Sequence, residues 1–443
     1  MFNPNHLRTF LAAYPDVKRY WVGLSGGLDS VALLHALASL QLPAPLMAVH
    51  IHHGLSPHAD AWQQYCEDLC RTLKVPLQVE RVVVEPAGEG IEAAARRARY
   101  QAYTRVTAAG DALLVAHHRQ DQAETVLLRL LRGSGPRGLG AMPVERPLGQ
   151  AQLLRPLLDV NREDLEAYVR AQGVGWVEDE SNTDSRFDRN FLRRDVWPLI
   201  QQRWPEAASA LSTSAALCRD SDALLAEMAR EDLLRLNVRQ ESLGSSVELA
   251  GLSALSVARR QNLLRHWLRD RELPLPNSTQ LQELEQQFFS AAEPQHGHQV
   301  NWSDYRACAF AERFYILHQQ AFWRPVAQTP TLAWPDIEQP LALPGGDSLH
   351  WQQAGRGEGI AAHWRQRVQV RWREGGERCH PAGREHSQSL KKLLQEYGVA
   401  PWLRSRVPLL YVDEQLAGVA DLWICKDFLA AANEVGYRCQ WQL

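Results

Sequence analysis

The stretch that decides the fold is WVGLSGGLDSVALLHAL, Trp21 to Leu37. An apolar run stops at Ser25, two glycines follow, and after Asp29 and Ser30 apolar residues recur at Val31, Leu34, Leu37 and Ala38. That pattern predicts a strand, a tight glycine turn and the first turn of a helix. Such a junction is a ready anion site, because loop and first-turn N–H groups point outward and the helix N-terminus favours negative charge. The lysine of the common phosphate loop, GxxxxGK[ST], is missing, and Asp29 stands near its place. Gly26 and Gly27 let the backbone approach a phosphate, Leu28 leads into the helix, and Ser25 and Ser30 offer hydroxyls. Asp29 would repel a phosphate directly and suits a Mg²⁺ ion that bridges to one. An isolated SGG also reads as a plain capped turn; the flanking strand and helix favour the anion site.

Outward from this loop, strand and helix patterns alternate over the first two hundred residues. PLMAVHIHH, PLQVERVVV and DALLVAHH read as strands, and QLLRPLLDV as one more. Helices are expected over about Ser56 to Leu73, Glu92 to Ala108, through DQAETVLLRLLRG, and through NREDLEAYVRAQG with Asn161 as N-cap and Gly173 beyond its end. Buried apolar strands separated by amphipathic helices predict an α/β fold with a doubly wound parallel sheet. Ligands bind beyond the carboxyl ends of such strands. Those ends carry SGGLDS, HIHHG and AHHRQDQAET.

At 443 residues the chain is too long for one ordinary core. From about Trp204 helical periodicity takes over, in ASALSTSAALCRDSDALLAEMAREDLLRL and ALSVARRQNLLRHWLRDREL, with short β-like runs from about Val300 to Pro344. The expected organisation is a catalytic domain over 1–205, a mainly helical middle domain over 206–335 and a small α+β domain over 336–443. Composition is 45% apolar and 22% charged, which excludes a disordered chain. No apolar run approaches the ~18 to 20 residues of a membrane helix, and MFNPNHLRTF does not read as a signal peptide, so a cytoplasmic protein is expected. The seven cysteines include no CxxC; Cys66 and Cys70 share a helix face, as two core residues or as a disulfide or metal pair. Net charge is −3, yet ten Lys/Arg face four Glu between Arg365 and Arg406, the strongest basic stretch of the chain. Local patches of that kind decide nucleic-acid binding.

SGGLDS resembles the PP-loop of the ATP pyrophosphatases, which split ATP between its α and β phosphates. HIHHGL (from His50), EAAARRARY (from Glu92), AHHRQDQAETVLLRLLRGSG (from Ala116), LLRPLL (from Leu153) and EDESNTDSRFDRNFLR (from Glu178) follow in order. With LSVARRQNLLRHWL and RCHPAGREHSQSLKKLLQEYGVAPWLRSRVPLLY they resemble the tRNA(Ile)-lysidine synthase family across essentially the whole chain. The resemblance implies that ATP adenylates the C2 oxygen of the wobble cytidine in the CAU anticodon of an isoleucine tRNA. The ε-amine of free L-lysine then attacks C2 and AMP leaves. It implies ATP and Mg²⁺ as cofactors, and no membrane; it leaves monomer and homodimer open.

Asp29, Asp121, Glu124 and Arg193 are the candidate catalytic residues, with Asp29 and Glu124 as metal or general-base carboxylates. Asp121 and Glu124 are three apart, so they share a helix face, either toward lysine's ammonium or as a solvated first turn. Ser25, Gly26, Gly27, Leu28, Asp29, Ser30, His50, His117 and His118 are the candidate nucleotide-binding residues; one of the last two is equally readable as a core histidine. Where the family commonly has a first of two aspartates, this chain has Gln120. Asn190 and Arg193 are expected in the site, with Ser181 and Asn182 fixing a turn before them. Arg96 and Arg99 suit the α-phosphate or the RNA backbone. Arg259, Arg260, Arg265 and Trp267, then Arg371, Arg373, Arg378, Arg384, Lys391 and Lys392, are the expected tRNA contacts. Competing readings are a PP-loop tRNA thiolase, which would want a reactive cysteine pair, and an RNA-binding protein with a vestigial ATP site.

Overall fold

The computed structural model describes residues 2–442 except 86–87, 89, 179, 181–185, 242–243, 291–297, 320–330 and 345. It divides into two compact units, Met1–Leu224 and Leu225–Leu443.

The first unit runs α1 (Pro4–Leu11), β1 (Arg19–Gly23), α2 (Leu28–Ala38), β2 (Leu46–His52), α3 (Ala59–Leu73), β3 (Leu77–Arg81), α4 (Ile91–Val106), β4 (Asp111–Leu114), α5 (Arg119–Leu131), α6 (Pro136–Leu139), β5 (Glu145–Leu148), β6 (Ala151–Leu154), α7 (Arg162–Ala171) and α8 (Asp188–Phe191). A π-helical turn, Leu192–Val196, carries α8 into α9 (Trp197–Arg203). The sheet order is β3-β2-β1-β4-β6-β5. β1 pairs in parallel with β2 on one side (Val22 with Ala48) and with β4 on the other (Val22 with Leu114). The chain order therefore reverses at β1 and β4, and the crevice beyond their carboxyl ends is the natural ligand site.

Alternation along β1 builds a core on each face. Tyr20, Val22 and Leu24 pack with Val31, Leu33, Leu34 and Leu37 of α2 on one side, and Trp21 packs with Val49, Leu113 and Leu153 on the other. The indole of Trp21 stays satisfied through its N–H to Asp111 (3.0 Å). α2 is buried nearly all round, so truncating any of its leucines to alanine would cost about 2–5 kcal/mol. Cys66 and Cys70 sit buried on the inner face of α3, and all seven cysteines are free.

One edge of the sheet departs from expectation. β6 covers only Ala151–Leu154, and β5 pairs with it antiparallel in a hairpin turned at Gly149. Pro147 and the short strand lengths hid this hairpin from the periodicity, and an edge strand tolerates proline.

α10 (Ala207–Arg235) begins in the first unit and ends in the second, where it leads into β7 (Arg239–Glu241), β8 (Gly244–Glu248), α11 (Leu249–Ala254), α12 (Val257–Asp270), α13 (Ser278–Leu284), β9 (Gln299–Trp302), β10 (Tyr305–Phe310) and β11 (Arg313–His318). The expected helices are present, and they cover an antiparallel sheet of order β7-β8-β11-β10-β9; β9 to β11 fall where β-like runs are expected, whereas β7 and β8 are concealed among the helical segments. Trp267, Leu263, Phe288 and Phe314 form that core. The described part of the last hundred or so residues forms a five-stranded sheet, a four-stranded sheet, a two-stranded ribbon and a helix, Leu390–Glu396, around Val370, Leu393, Leu409 and Val419. Among the described residues no helix is long and apolar enough to cross a membrane.

Candidate active site

The loop Ser25–Gly27 joins β1 to α2 at the reversal point. Gly26 has φ +87°, a conformation that L side chains rarely adopt, and a Cβ there would meet Val177 Cγ2 at 2.8 Å. Its carbonyl accepts from the Val177 N–H (3.0 Å), so a passing segment straps the loop. The Ser30 hydroxyl donates to the Gly27 carbonyl (3.0 Å) and accepts from the Ser25 N–H (3.2 Å). The imidazole Nδ1 of buried His50 lies 2.9 Å from the Leu24 carbonyl, so His50 steadies the loop from β2. Burial pushes its pKa below the ordinary histidine value.

α2 starts at Gly27 without a side-chain cap. Its first-turn N–H groups are therefore left for a ligand, the condition in which a helix N-terminus holds phosphate. α5 is built the other way. His118 and Asp121 close its N-terminus in a reciprocal capping box.

A cavity of about 280 Å³ opens above this loop. The loop and Asp29 form its floor, His50 and His52 of β2 one wall, and His117 another. Trp62 of α3 and Tyr100 and Tyr103 of α4 give it aromatic surface, and Arg96 and Arg99 give it charge. The α4 residues fall at positions i, i+3, i+4 and i+7, one helix face, which is the sequence signal for their convergence.

Asp29 sits in a largely desolvated position. Its Oδ1 is buried without a hydrogen-bond partner. Oδ2 is 3.7 Å from His118 Nε2, and Arg162 Nε lies 4.0 Å from Oδ1. Burial raises its pKa above the ordinary carboxyl value, against the pull of His118. A buried carboxylate oxygen without a donor is suited to a hard cation, so Asp29 fits Mg²⁺.

Glu124 is engaged differently. Its side chain is fully buried, and both oxygens are taken: Arg193 Nε donates to Oε1 (2.8 Å), and Arg189 Nε and an Arg193 terminal nitrogen donate to Oε2 (2.9 Å each). The same arginines donate to Asp121 Oδ1 at 2.9 and 3.0 Å. Glu124, expected as a metal or general-base carboxylate, belongs here to a four-residue ion cluster with Asp121, Arg189 and Arg193. Among the described residues no group of three or more His, Cys, Asp or Glu is arranged for a metal. Burial disfavours the charged form of Asp121, but the charges of His118 and Arg189 more than offset it and hold the carboxyl well below the usual range. Arg189 was not among the expected residues. Its signal is the i, i+4 spacing with Arg193, which places both on one side of the α8 segment. Asn190 lies on α8 between them, and Ser181 and Asn182 lie outside the described residues.

The two histidines separate. His118 is 1% exposed and belongs to the cap. His117 lines the cavity, its Nδ1 is buried without a partner, and burial pushes its pKa down to about 3. It is a neutral imidazole with a free ring nitrogen for a ligand.

The expected RNA contacts divide sharply. Arg260 is buried, bonded to Glu285 (2.7 Å) and to the Leu252 and Leu255 carbonyls, and Trp267 is buried in the core. α12 turns both side chains inward, away from the surface where RNA contacts are expected. Arg259 pairs with Asp232 at 2.5 Å, while Arg265 is exposed. In the last domain Arg371 pairs with Glu414, Arg373 with Glu377, and both Arg384 and Lys392 with Glu396. Arg378 and Lys391 are exposed. The linear excess of charge is offset in part by acids from outside the stretch, Asp413 on Arg367 and Asp347 on Arg406 among them.

Three family profiles match the chain: a PP-loop domain over residues 4–200, a TilS substrate binding domain over 248–315 and a TilS substrate C-terminal domain over 368–441. The chain is 36% identical to a tRNA(Ile)-lysidine synthase of Coxiella burnetii (strain RSA 493 / Nine Mile phase I), covering 100% of this chain and 97% of that one. It is 41% identical to one of Yersinia pseudotuberculosis serotype O:1b (strain IP 31758), with 98% of each covered. It is 40% identical to one of Pseudomonas fluorescens (strain Pf0-1), with 99% and 96% covered.

Proposed function

This chain belongs to the tRNA(Ile)-lysidine synthase family, and on that premise we propose how its own residues perform an ATP-dependent ligation of L-lysine to isoleucine tRNA. It is a PP-loop ligase that uses ATP to modify a tRNA. One observation carries the site assignment. The uncapped N-terminus of α2, the orphaned Oδ1 of Asp29 and the free nitrogen of His117 belong to one cavity at the reversal point of the sheet.

ATP lies with its pyrophosphate on the Ser25–Ser30 loop, where first-turn N–H groups offset the charge of the leaving group. The base packs among Trp62, Tyr100 and Tyr103, and His117 supplies a neutral hydrogen-bonding nitrogen. Asp29 would hold Mg²⁺, and a bound Mg²⁺ would supply charge neutralisation for the departing phosphates. The cytidine leaves its stack so that its C2 oxygen reaches the α-phosphorus. That oxygen forms the new O–P bond and pyrophosphate departs. The lysine ε-amine, cationic at neutral pH, must shed a proton before it forms the N–C2 bond and AMP departs. Asp121 and Glu124 orient the guanidinium groups of Arg189 and Arg193, and those groups stabilise the negatively charged adenylate. Arg96 and Arg99 hold phosphate at the opposite side of the cavity, while Arg265, Arg378 and Lys391 meet the tRNA body. The three divisions 1–205, 206–335 and 336–443 serve chemistry, the first RNA surface and the second, in the cytoplasm where these substrates occur.

The cysteines argue against the thiolase reading. Cys66 is the one near the loop, and burial pushes its thiol up to about 12, far from a reactive thiolate. Labelled L-lysine with ATP, Mg²⁺ and two transcripts tests the proposal: a CAU-anticodon isoleucine tRNA and the elongator methionine tRNA. Label is expected in the first transcript alone, and none with Asp29→Ala. AMP release without lysine incorporation would overturn the choice of nucleophile.

A further inference from the structure

A second groove adjoins the active-site cavity along α4. It is open, about 590 Å³, and lined by Arg97, Tyr100, Gln101, Thr104 and Arg105 of α4 and by Arg146, Pro147, Leu148 and Gly149 of the β5–β6 hairpin. Tyr100 belongs to the walls of both spaces. No residue of the Ser25–Ser30 loop lines the groove.

The hairpin seats itself on α4 for a local reason. Gly149 has φ +57°, and a Cβ there would lie 2.8 Å from Thr104 Cγ2. Only glycine allows both the turn and that approach. The approach brings Arg146 to the face of Tyr100, 4.6 Å from the ring centroid, while Arg96 lies 4.9 Å from it. A third guanidinium, Arg155, is 3% exposed and keeps its Nε buried without a partner. Among the described residues no carboxylate pairs with Arg96, Arg99, Arg146 or Arg155; Arg105 has only Glu80, at 3.8 Å. Cationic groups held together without acids raise one another's energy and are relieved by a bound anion.

Resting on the reading above, we infer that this groove carries the single-stranded phosphate backbone of the RNA beside the reacting nucleotide, with Tyr100 as the wall between strand and cavity. Arg146 and Arg105 hold phosphates, and the Tyr100 ring, braced by two guanidinium groups, offers a stacking face to a neighbouring base. ATP's phosphates are provided for elsewhere, at the N-terminus of α2. An extruded nucleotide needs its neighbours held in this way, because its own phosphates must stay on the protein surface while its base enters the cavity.

The full-length chain is titrated with a fluorescein-labelled RNA hairpin carrying the CAU anticodon loop, and separately with ATP. Arg146→Gln should weaken hairpin binding about tenfold and lower the salt dependence of log Kd by about 0.7 for each phosphate it no longer neutralises. The pair Arg105→Gln with Arg146→Gln should lose more, and the affinity for ATP should stay within twofold. Tyr100→Phe should bind as the unaltered chain does, whereas Tyr100→Ala should lose about tenfold. An unchanged thermal midpoint establishes that each variant is folded, and for the Arg105 and Arg146 variants retained ATP binding does so as well. Hairpin affinity that survives the Arg146 and Arg105 changes overturns the groove. Loss of ATP affinity with hairpin affinity kept overturns it too, because the anion is then the nucleotide's. A chain that binds the hairpin through this groove and yet incorporates no lysine keeps the groove and overturns the reading on which it rests.

Discussion

Arg96, Arg99 and Arg146 in the first unit have no carboxylate partner among the described residues, whereas in the second unit Arg259, Arg260, Arg371 and Arg384 pair with Asp232, Glu285, Glu414 and Glu396. Both sets look alike in a linear count of charge. In three dimensions the first set is open to an anion, and the second is largely occupied with holding its own domain together. The carboxylates divide in the same way. Asp29 keeps an oxygen without a partner, while Glu124 is saturated by two arginines. An unsatisfied charge at a cavity is available to a ligand; a satisfied one fixes geometry.

The largest effect should come from the unsatisfied carboxylate. Asp29→Asn is expected to reduce single-turnover adenylation about a thousandfold or more, on the order of 4 kcal/mol. The same change should stabilise the ligand-free chain at neutral pH. Burial raises the Asp29 pKa in the fold, so the native state holds its proton more tightly than the unfolded chain does. Native stability then falls as pH rises from the unfolded value, near 3.8, through the folded one. The gain of about 1 kcal/mol from the amide should therefore appear in denaturation curves at pH 7 and vanish below that window. A variant that loses activity and stability together would place Asp29 with the structural charges instead.

Next in size is the buried pair of the second unit. Arg260→Met leaves Glu285 without its partner and should cost about 3–5 kcal/mol in chemical denaturation. At a temperature where the variant stays folded, its affinity for tRNA should remain within twofold. A tenfold loss of affinity there would erase the contrast between the two units.

A smaller change should follow in the first unit. Replacing Arg96 and Arg99 together by Gln should raise the KM for tRNA or ATP by about tenfold, near 1.4 kcal/mol, with the melting temperature nearly unmoved. Smaller again, Arg371→Gln breaks an exposed pair with Glu414 and should cost under about 1 kcal/mol. The smallest signal concerns His117. With its pKa near 3, it stays neutral from pH 5 to 8, so the rate profile in that range should carry no inflection from it. Its depressed pKa also makes protonation oppose folding, and stability should decline as pH falls from about 6.5 toward 3.

Much of the first unit is legible in order. β1, the glycine loop and α2 stand where WVGLSGGLDSVALLHAL places them, and three polar strand ends meet at the reversal point. The spacing in RRARY puts Arg96, Arg99 and Tyr100 on one face of α4. What escapes is what depends on a distant partner. DRNFLR marks Arg193, but Arg189 joins it only because Glu124 and Asp121, more than sixty residues earlier, lie opposite both. The helical pattern of ARRQNLLRHW is plain, yet it does not say which side of α12 faces the core, so Arg260 and Trp267 pass for RNA contacts in the linear chain. The β5–β6 hairpin that carries Arg146 is too short and too proline-marked to be read.

By itself, then, the sequence determined the family, the parallel sheet, the phosphate loop and where the helices run, because periodicity, turn chemistry and capping act over a few residues. Only the tertiary structure decided which charges are open to a ligand and which are paired. Coulomb attraction and desolvation depend on distance in space, and residues such as Arg193 and Glu124 become neighbours only when the whole unit has folded.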